Sequence, residues 1–305
     1  MKSLRRSTFR TLATWVLAVA LVGPATAQVP GVRHVVIIGC DGMSPDGLRH
    51  AAIPELQKLM QNGAFTLHAR GVMPTVSSPN WASMIMGAGP EQHGVTSNEW
   101  ETNKFQIAPV VVGSGGMFPT IFGLLREQRP QSVITCFHDW DGFGRLFERA
   151  AADLIEHPAG PTNTIERAIG AFKDRHPTFT FIHLDHVDDA GHHSGHGTPE
   201  YYAAIGVADQ LIGRAIQGLK DAGMWEQTIL LVTADHGGKG KGHGGATMAE
   251  LEIPWILHGP GVAHGRELTT PVNTYDTAVA VAYVFGLKTP SVWIGKPVAE
   301  AFSQP

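Results

Sequence analysis

The chain has 305 residues, of which 27 are acidic and 23 are basic, and its formal net charge is −4. This acidic balance argues against a general affinity for nucleic-acid polymers or for anionic membranes. The two cysteines, Cys40 and Cys136, form no CxxC pair, which argues against cysteine-based zinc or redox chemistry. Both end predicted strands. If these strands are neighbours, a disulfide can form after export, but two buried free thiols fit the sequence better.

The first 27 residues have the three zones of a secretory signal peptide. Four basic residues lie within residues 2–10, an apolar run follows at 12–22, and small residues lead to Ala27. A retained membrane anchor is the weaker alternative, because about ten apolar residues fall short of the roughly 20 that span a bilayer. We therefore expect cleavage after Ala27, one domain over residues 28–305, and a periplasmic or secreted protein without stable membrane insertion.

The rest of the chain alternates apolar strands with amphipathic helices. Helices are predicted at residues 53–62, 199–222 and 277–285, and strands at 35–40, 132–137, 178–184, 228–233 and 253–258. Strands that are apolar throughout are typical of parallel sheets covered on both faces. The pattern predicts an α/β fold with a doubly wound, mostly parallel central sheet and helices on both of its faces.

Acidic side chains follow three of these predicted strands. Asp41 comes after the first, Asp185 and Asp188 come after the strand at 178–184, and Asp235 comes shortly after the strand at 228–233. Binding groups of such folds lie at the carboxyl ends of the strands. The sequence therefore predicts a polar site at this edge of the sheet.

Two of the polar segments have the composition of metal sites. Residues 184–196 hold three carboxylates and four imidazoles, and residues 235–245 hold Asp235, His236 and His243 among six glycines. Carboxylate oxygens and imidazole nitrogens suit zinc or manganese. The glycines allow tight turns that bring distant side chains together. The alternative for both segments is a solvated, flexible loop.

A third segment offers a hydroxyl nucleophile. Thr75, Ser77 and Ser78 lie within residues 73–81, immediately before the helix-compatible run 82–86. Backbone N–H groups at a helix start favour a bound phosphate. A plain helix cap is the alternative reading of these hydroxyls.

These segments resemble the alkaline phosphatase superfamily. The sequences VIIGCDGM, PTVSSPNW, EQHGVTSN, DHVDDAGHHSG and TADHGGKGKGHGG occur in the order found there. The resemblance is strongest to the branch of type I phosphodiesterases and nucleotide pyrophosphatases. It implies an alkaline phosphatase-like catalytic domain that hydrolyses small phosphate esters. Trp81 stands where sulfatases carry an arginine, so sulfatase activity is not expected.

The resemblance also implies roles for individual residues. One metal ion would be held by Asp41, Asp235 and His236 together with the nucleophile Ser77, and a second by Asp188, His192 and His243. Thr75 and Ser78 stay open as alternatives to Ser77. His193, His196 and His258 stay open as alternatives to His243, and Asn98 is expected to donate a hydrogen bond to a phosphate oxygen.

The expected activity is a phosphodiesterase or nucleotide pyrophosphatase that acts through a phosphoseryl intermediate. Two divalent ions are expected, with zinc favoured by the Asp and His ligands and manganese as the alternative. A phosphomonoesterase of the same superfamily is the nearest alternative. A periplasmic metal-binding protein without catalysis is the alternative from another class. The sequence leaves the natural substrate and the oligomeric state open.

Overall fold

The computed structural model describes residues 29–113 and 115–303. The signal peptide predicted at residues 1–27 lies outside the described residues. Among the described residues, no helix combines the length and the apolar character that crossing a bilayer requires.

A mixed sheet of eight strands forms the centre of the described structure, in the order β4-β3-β5-β1-β6-β7-β2-β8. Its strands are β1 (His34–Cys40), β2 (Ala64–Arg70), β3 (Ile134–His138), β4 (Leu154–Glu156), β5 (Phe179–Leu184), β6 (Thr228–Thr233), β7 (Glu252–His258) and β8 (Arg266–Glu267). Only β7 pairs antiparallel to its neighbours, β6 and β2. The predicted α/β fold with a mostly parallel sheet is therefore confirmed.

Helices precede and follow the strands along the chain. They are α1 (Pro45–His50), α2 (Pro54–Gln61), α3 (Ser77–Met86), α4 (Pro90–His93), α5 (Ile121–Gln128), α6 (Pro161–Arg175), α7 (His186–Ser194), α8 (Pro199–Asp221), α9 (Met248–Leu251) and α10 (Asp276–Phe285). Short 3₁₀ turns lie at Asp141–Arg145, Arg149–Ala151, Trp225–Gln227 and Ala299–Ala301. Helices α2 and α6 each pack against α8, and α3, α5 and α10 pack against one another.

Burial explains why the central strands were visible in the sequence. Every residue of β5 and β6 is buried, so both faces of the sheet are covered and both faces select apolar side chains. Helix α8 follows the prediction closely because Thr198 caps its first turn by accepting a hydrogen bond from the Tyr201 amide. The sequence missed the short strands β4 and β8 and the partly exposed strand β2.

The two cysteines are free and buried, as the sequence favoured. The alternative that they lie on neighbouring strands is wrong. Cys40 ends β1 and Cys136 lies in β3, and β5 runs between these two strands.

Candidate metal centre and nucleophile

Two neighbouring strands place three of the predicted ligands together. Asp41 follows β1, and Asp235 and His236 follow β6, which pairs with β1. The His236 Nε2 atom lies 3.4 Å from Asp41 Oδ1 and 3.2 Å from Asp235 Oδ2. These three side chains, at most 1 % exposed, are called the buried half-site.

A helix turn and the glycine-rich loop form a second cluster. Asp188 and His192 lie one turn apart on α7, with 3.0 Å between Asp188 Oδ2 and His192 Nε2. From the loop after β6, His243 places its Nε2 atom 3.2 Å from His192 Nε2 and 3.6 Å from Asp188 Oδ2. Asp188, His192 and His243 are called the open half-site, because the His192 side chain is 45 % exposed. Residues 186–194 are thus helical, which corrects the alternative of a solvated loop.

The two half-sites are in direct contact. The imidazoles of His236 and His243 stack with ring centroids 3.8 Å apart. Asp188, His236 and His243 also offer ligand atoms within 4.8 Å of one another. The sequence-predicted ligands therefore converge in one centre.

Backbone carbonyls fix the tautomer of all three imidazoles. The Nδ1 atoms of His236, His192 and His243 lie 2.8, 3.0 and 2.9 Å from the carbonyl oxygens of Gly237, Lys241 and Thr75. A carbonyl only accepts hydrogen bonds, so each Nδ1 carries the proton. When the ring is neutral, each Nε2 is therefore left with a lone pair directed into the centre, which is the arrangement of a metal-binding histidine.

Burial and charge separate the pKa values of the carboxyl groups. Burial, and then the charge of Asp188, raise the pKa of Asp41 to about 6. Burial and the charges of Asp41 and Asp188 raise the pKa of Asp235 well above its ordinary value. Burial also acts to raise the pKa of Asp188, but the hydrogen bond from His243 and the neighbouring imidazoles outweigh it and lower that pKa to about 2.

The unpaired atoms of the centre fit divalent cations. Asp41 Oδ1, Asp188 Oδ1 and Asp235 Oδ2 are buried and have no hydrogen-bond partner among the described residues. The lone pairs of His192 and His243 face each other at 3.2 Å, which is repulsive unless a cation or a proton lies between them. Carboxylate oxygens and imidazole nitrogens form an ordinary donor set for zinc. The residues present therefore suit the two metal ions that the sequence implies.

Ser77 lies against the buried half-site. It is the first residue of α3, its side chain is buried, and its Oγ is 3.3 Å from His236 Nε2. The residue that caps this helix is Val76, and no side chain makes the capping hydrogen bond. The helix-cap reading of these hydroxyls is therefore wrong.

The other two hydroxyls of this segment are placed differently. Thr75 Oγ1 donates to the Gly245 carbonyl oxygen at 2.7 Å and accepts from the Gly244 amide at 3.0 Å. Ser78 Oγ is buried without a partner among the described residues. Of the three hydroxyl groups, only that of Ser77 makes a hydrogen-bond contact with a half-site side chain among the described residues.

Asn98 is held beside Ser77. Its Oδ1 accepts a 2.8 Å hydrogen bond from the Ser78 amide, which leaves its Nδ2 protons to be donated elsewhere. The guanidinium of Arg145 donates to the Asn98 backbone oxygen and lies 3.5 Å from a Glu101 carboxylate oxygen. Asn98 is thus oriented from both its side chain and its backbone.

The alternative histidines fall into two groups. His193 is exposed and pairs with the exposed Asp189, and His258 stacks on Trp225. His196 is different, since its buried ring places Nε2 3.6 Å from Asp188 Oδ1. Among the three alternatives to His243, only His196 pairs with a residue of the two half-sites.

Residues that reasoning from sequence missed surround Asp41. The Trp81 indole and the His183 imidazole both reach its carboxylate, and both side chains are fully buried. The sequence motifs gave neither side chain a role at the metal centre. A histidine inside the otherwise apolar strand 178–184 was the available signal, because a buried polar side chain needs a partner.

The chain is similar in sequence to known proteins. The family described as "Type I phosphodiesterase / nucleotide pyrophosphatase" matches residues 35–241. Ectonucleotide pyrophosphatase/phosphodiesterase family member 1 of Mus musculus is 25 % identical over 194 residues, which cover 61 % of this chain and 21 % of the relative. Family member 5 of Homo sapiens is 21 % identical over 234 residues, covering 74 % and 49 %. The chain thus spans between about a fifth and a half of these relatives' length.

Solved structures show the same fold at lower sequence identity. An inactive variant of murine ectonucleotide pyrophosphatase/phosphodiesterase 5 in complex with AMP superimposes with a TM-score of 0.73 and 17 % identity, covering 89 % of this chain and 100 % of that one. A mutant of the alkaline phosphatase PafA superimposes with a TM-score of 0.75 and 12 % identity, covering 90 % and 100 %.

Proposed function

Because this chain belongs to the type I phosphodiesterase / nucleotide pyrophosphatase family, we propose that it is an exported, two-metal phosphodiesterase with Ser77 as nucleophile. The observation that carries the proposal is the position of Ser77 Oγ, 3.3 Å from His236 Nε2 at the start of α3. A hydroxyl there faces the ligand atoms of the buried half-site and lies at the N-terminal end of a helix.

The buried half-site would hold one ion together with Ser77, and the open half-site would hold the other. Zinc suits these ligands best, and manganese is the second choice. When bound, divalent ions supply acidification of a hydroxyl and compensation of negative charge at phosphorus. The Nδ1 hydrogen bonds of the three imidazoles keep their Nε2 atoms available for this role.

The chain's own residues account for the covalent steps. The Ser77 hydroxyl gives its proton to solvent, Oγ bonds to phosphorus, the bond from phosphorus to the leaving ester oxygen breaks, and that oxygen takes up a proton from solvent to leave as an alcohol. A water molecule then attacks the phosphoseryl group, the bond between phosphorus and Oγ breaks, and Ser77 regains a proton. Asn98 Nδ2 and the backbone amide of Ser77, the first residue of α3, donate hydrogen bonds to the remaining phosphate oxygens.

The charge near Asn98 favours a diester over a monoester. A monoester carries one more ionisable oxygen, which an additional cationic side chain would stabilise. Arg145 is already engaged with the Asn98 backbone oxygen and with Glu101, and Lys239 and Lys241 are exposed. A phosphomonoesterase is therefore the second candidate. The placement of Ser77 beside Asn98 disfavours a non-catalytic metal-binding protein, which needs neither residue.

The substrate and the location are extensions of the same proposal. The names of the relatives make small nucleotide esters the first natural compounds to test. Export to the periplasm or the medium follows from the signal peptide predicted at residues 1–27.

Steady-state kinetics of the zinc-loaded protein on matched aryl phosphate diester, monoester and sulfate substrates test the proposed activity. We expect the highest kcat/KM on the diester and the lowest on the sulfate. A clear preference for the monoester would replace the first candidate by the second. Background turnover on all three, with two zinc ions bound, would favour the metal-binding protein.

The nucleophile is tested by a pair of neighbouring substitutions. Ser77→Ala should lower kcat by about 10³-fold or more without changing the metal content. Ser78→Ala is the matched control and should retain activity within a few-fold, because the backbone amide of Ser78, rather than its hydroxyl, holds Asn98. The reverse result would make Ser78 the nucleophile.

A further inference from the structure

The two oxygens of the Asp41 carboxylate have different surroundings. Oδ2 lies 3.1 Å from the indole nitrogen of Trp81 and 3.2 Å from Nε2 of His183. Oδ1 has no hydrogen-bond partner among the described residues and lies 3.4 Å from His236 Nε2. One oxygen is therefore held by the protein, and the other faces the buried half-site.

The two carboxylate oxygens of Asp235 also differ in their surroundings. The backbone amide of Gly42 donates to Asp235 Oδ1 at 3.2 Å, whereas Oδ2 is buried without a hydrogen-bond partner in the described part of the chain. Both carboxylates of the buried half-site thus present a single bare oxygen. Asp41 differs in that its anchors are side chains, which can be substituted.

The polar atoms of Trp81 and His183 are directed at Asp41. His183 is fully buried, and within the described structure its Nδ1 has no hydrogen-bond partner, while its Nε2 meets Asp41 Oδ2. An ionised carboxylate only accepts, so Nε2 carries the proton. The fully buried Trp81 indole donates to the same oxygen.

The surrounding fold keeps these two anchors in place. The Trp81 and His183 rings pack edge to face with centroids 4.9 Å apart, and Trp81 also packs against Phe143 and Phe181. A Cβ atom at Gly39 of β1 would lie 2.5 Å from the Trp81 ring. A glycine at this strand position therefore leaves the space through which the indole reaches Asp41.

We propose that Trp81 and His183 are positioning residues that hold Asp41 Oδ2 and reserve Oδ1 for the metal ion of the buried half-site. This inference rests on the proposed function only in taking Asp41 as a metal ligand. Neither residue binds the ion or the substrate. Hydrogen bonds of this kind orient a ligand before the ion arrives, and their removal costs about 10–100-fold in metal affinity.

Zinc affinity, measured by competition with a chromophoric chelator, tests the proposal without recourse to hydrolysis. Trp81→Phe removes the indole donor, and His183→Asn is too short for its amide to reach Asp41. Each should weaken one of the two zinc equivalents by about 10–100-fold and leave the other unchanged. His183→Gln carries its amide nitrogen about as far out as Nε2 and should restore most of the affinity.

Trp255→Phe is the matched control for the loss of a buried indole. Trp255 is fully buried on β7 and donates to Thr277 Oγ1, outside both half-sites. This variant should keep both zinc equivalents at wild-type affinity, even if its melting temperature falls as far as that of Trp81→Phe.

Three results would overturn the proposal. Wild-type zinc affinity in both Trp81→Phe and His183→Asn would show that the anchors do not matter. Equal loss in His183→Gln and His183→Asn would indicate a merely structural histidine. A third zinc equivalent that disappears with His183 would make it a ligand, since Asp41, His183 and Asp185 also lie within 4.8 Å of one another. Failure of the proposed function would instead appear as absent hydrolysis with these zinc affinities intact.

Discussion

The buried and the open half-site use the same side-chain types but differ in how the fold supports them. In the buried half-site, two adjacent strand ends supply ligands that are at most 1 % exposed. In the open half-site, a helix turn and a glycine-rich loop supply ligands that include the 45 % exposed His192. The ligands of the buried half-site thus belong to the core, whereas those of the open half-site lie near the surface. We infer that an ion leaves the open half-site more easily.

The pKa values of the carboxyl groups also differ between the buried and the open half-site. Burial raises the pKa of Asp41 and Asp235, so their ionised forms are destabilised in the fold unless a cation lies beside them. The hydrogen bond from His243 and the nearby imidazoles overcome the effect of burial on Asp188 and lower its pKa. The open half-site thus balances its own charge in part, whereas the buried half-site depends on the ion.

The largest expected effect is the loss of a ligand from the buried half-site. Asp235→Asn should lower kcat/KM by about 10³-fold, because charge stabilisation by a metal ion amounts to several kcal/mol. Added zinc should not restore activity, since the fully buried site cannot recruit another ligand from water. Asp189→Asn, an exposed carboxylate on α7, is the control and should behave as wild type. Recovery of Asp235→Asn in excess zinc would remove the distinction between the half-sites.

A smaller and reversible effect is expected in the open half-site. His192→Asn should lower kcat/KM about 10–100-fold at trace zinc and recover in excess zinc, because water can occupy the exposed position. His193→Asn changes the neighbouring, more exposed histidine and should have little effect. A zinc titration of both variants checks this expectation. A loss in His192→Asn that resists saturating zinc would contradict it.

In the metal-free protein, the unfavourable ionisation of the buried Asp41 carboxyl group should make stability depend on pH. The pKa of Asp41 rises from 3.8 unfolded to about 6 folded, so the folded state holds a proton that the unfolded state has released between these values. Stability therefore falls as pH rises through this window. With chelator present, Asp41→Asn should be about 1–3 kcal/mol more stable than wild type at pH 7 and equal to it near pH 4.

Urea unfolding of both proteins at several pH values measures this difference. Its dependence on pH matters more than its size, because Asn also changes the hydrogen bonds of the carboxylate. A difference that stays constant from pH 4 to pH 7 would show that the Asp41 carboxylate is not under strain in the metal-free fold.

The smallest effect is expected for an exposed side chain of the glycine-rich loop. The backbone oxygen of Lys241 accepts a hydrogen bond from His192 Nδ1, and the residue itself is exposed. Lys241→Ala keeps that oxygen and should change kcat/KM by less than about two-fold, as surface substitutions commonly do. A larger loss would mean that the lysine contacts the substrate.

The central strands and long helices could be predicted because burial on both faces leaves a clear apolar pattern. Strand β6 was predicted with the observed bounds, and β1 and β5 within one residue. The short strands β4 and β8 carry too few side chains for such a pattern. The order of the strands depends on contacts between distant segments, so the sequence could not place β7 between β6 and β2.

The sequence predicted the candidate metal ligands, but it did not predict the residues that hold those ligands in place. Asp41, Asp188 and Asp235 stand at segment ends, where an apolar pattern gives way to polar residues. Trp81 and His183 lie inside a buried helix and a buried strand, where a large aromatic side chain is expected for packing alone. Only the three-dimensional structure shows that their N–H groups meet the same carboxylate oxygen.

Thr75 links the nucleophile segment to the open half-site, and this link has a consequence for motion. Its backbone oxygen holds His243, and its hydroxyl bridges Gly244 and Gly245. The glycine-rich loop is thereby hydrogen-bonded to the residue two positions before Ser77. Movement of this loop therefore displaces the ligand His243 and the nucleophile Ser77 at the same time. Motion of the glycine-rich loop should consequently appear as one concerted exchange process in relaxation-dispersion NMR, with a shared rate for the His243 and Ser77 amides.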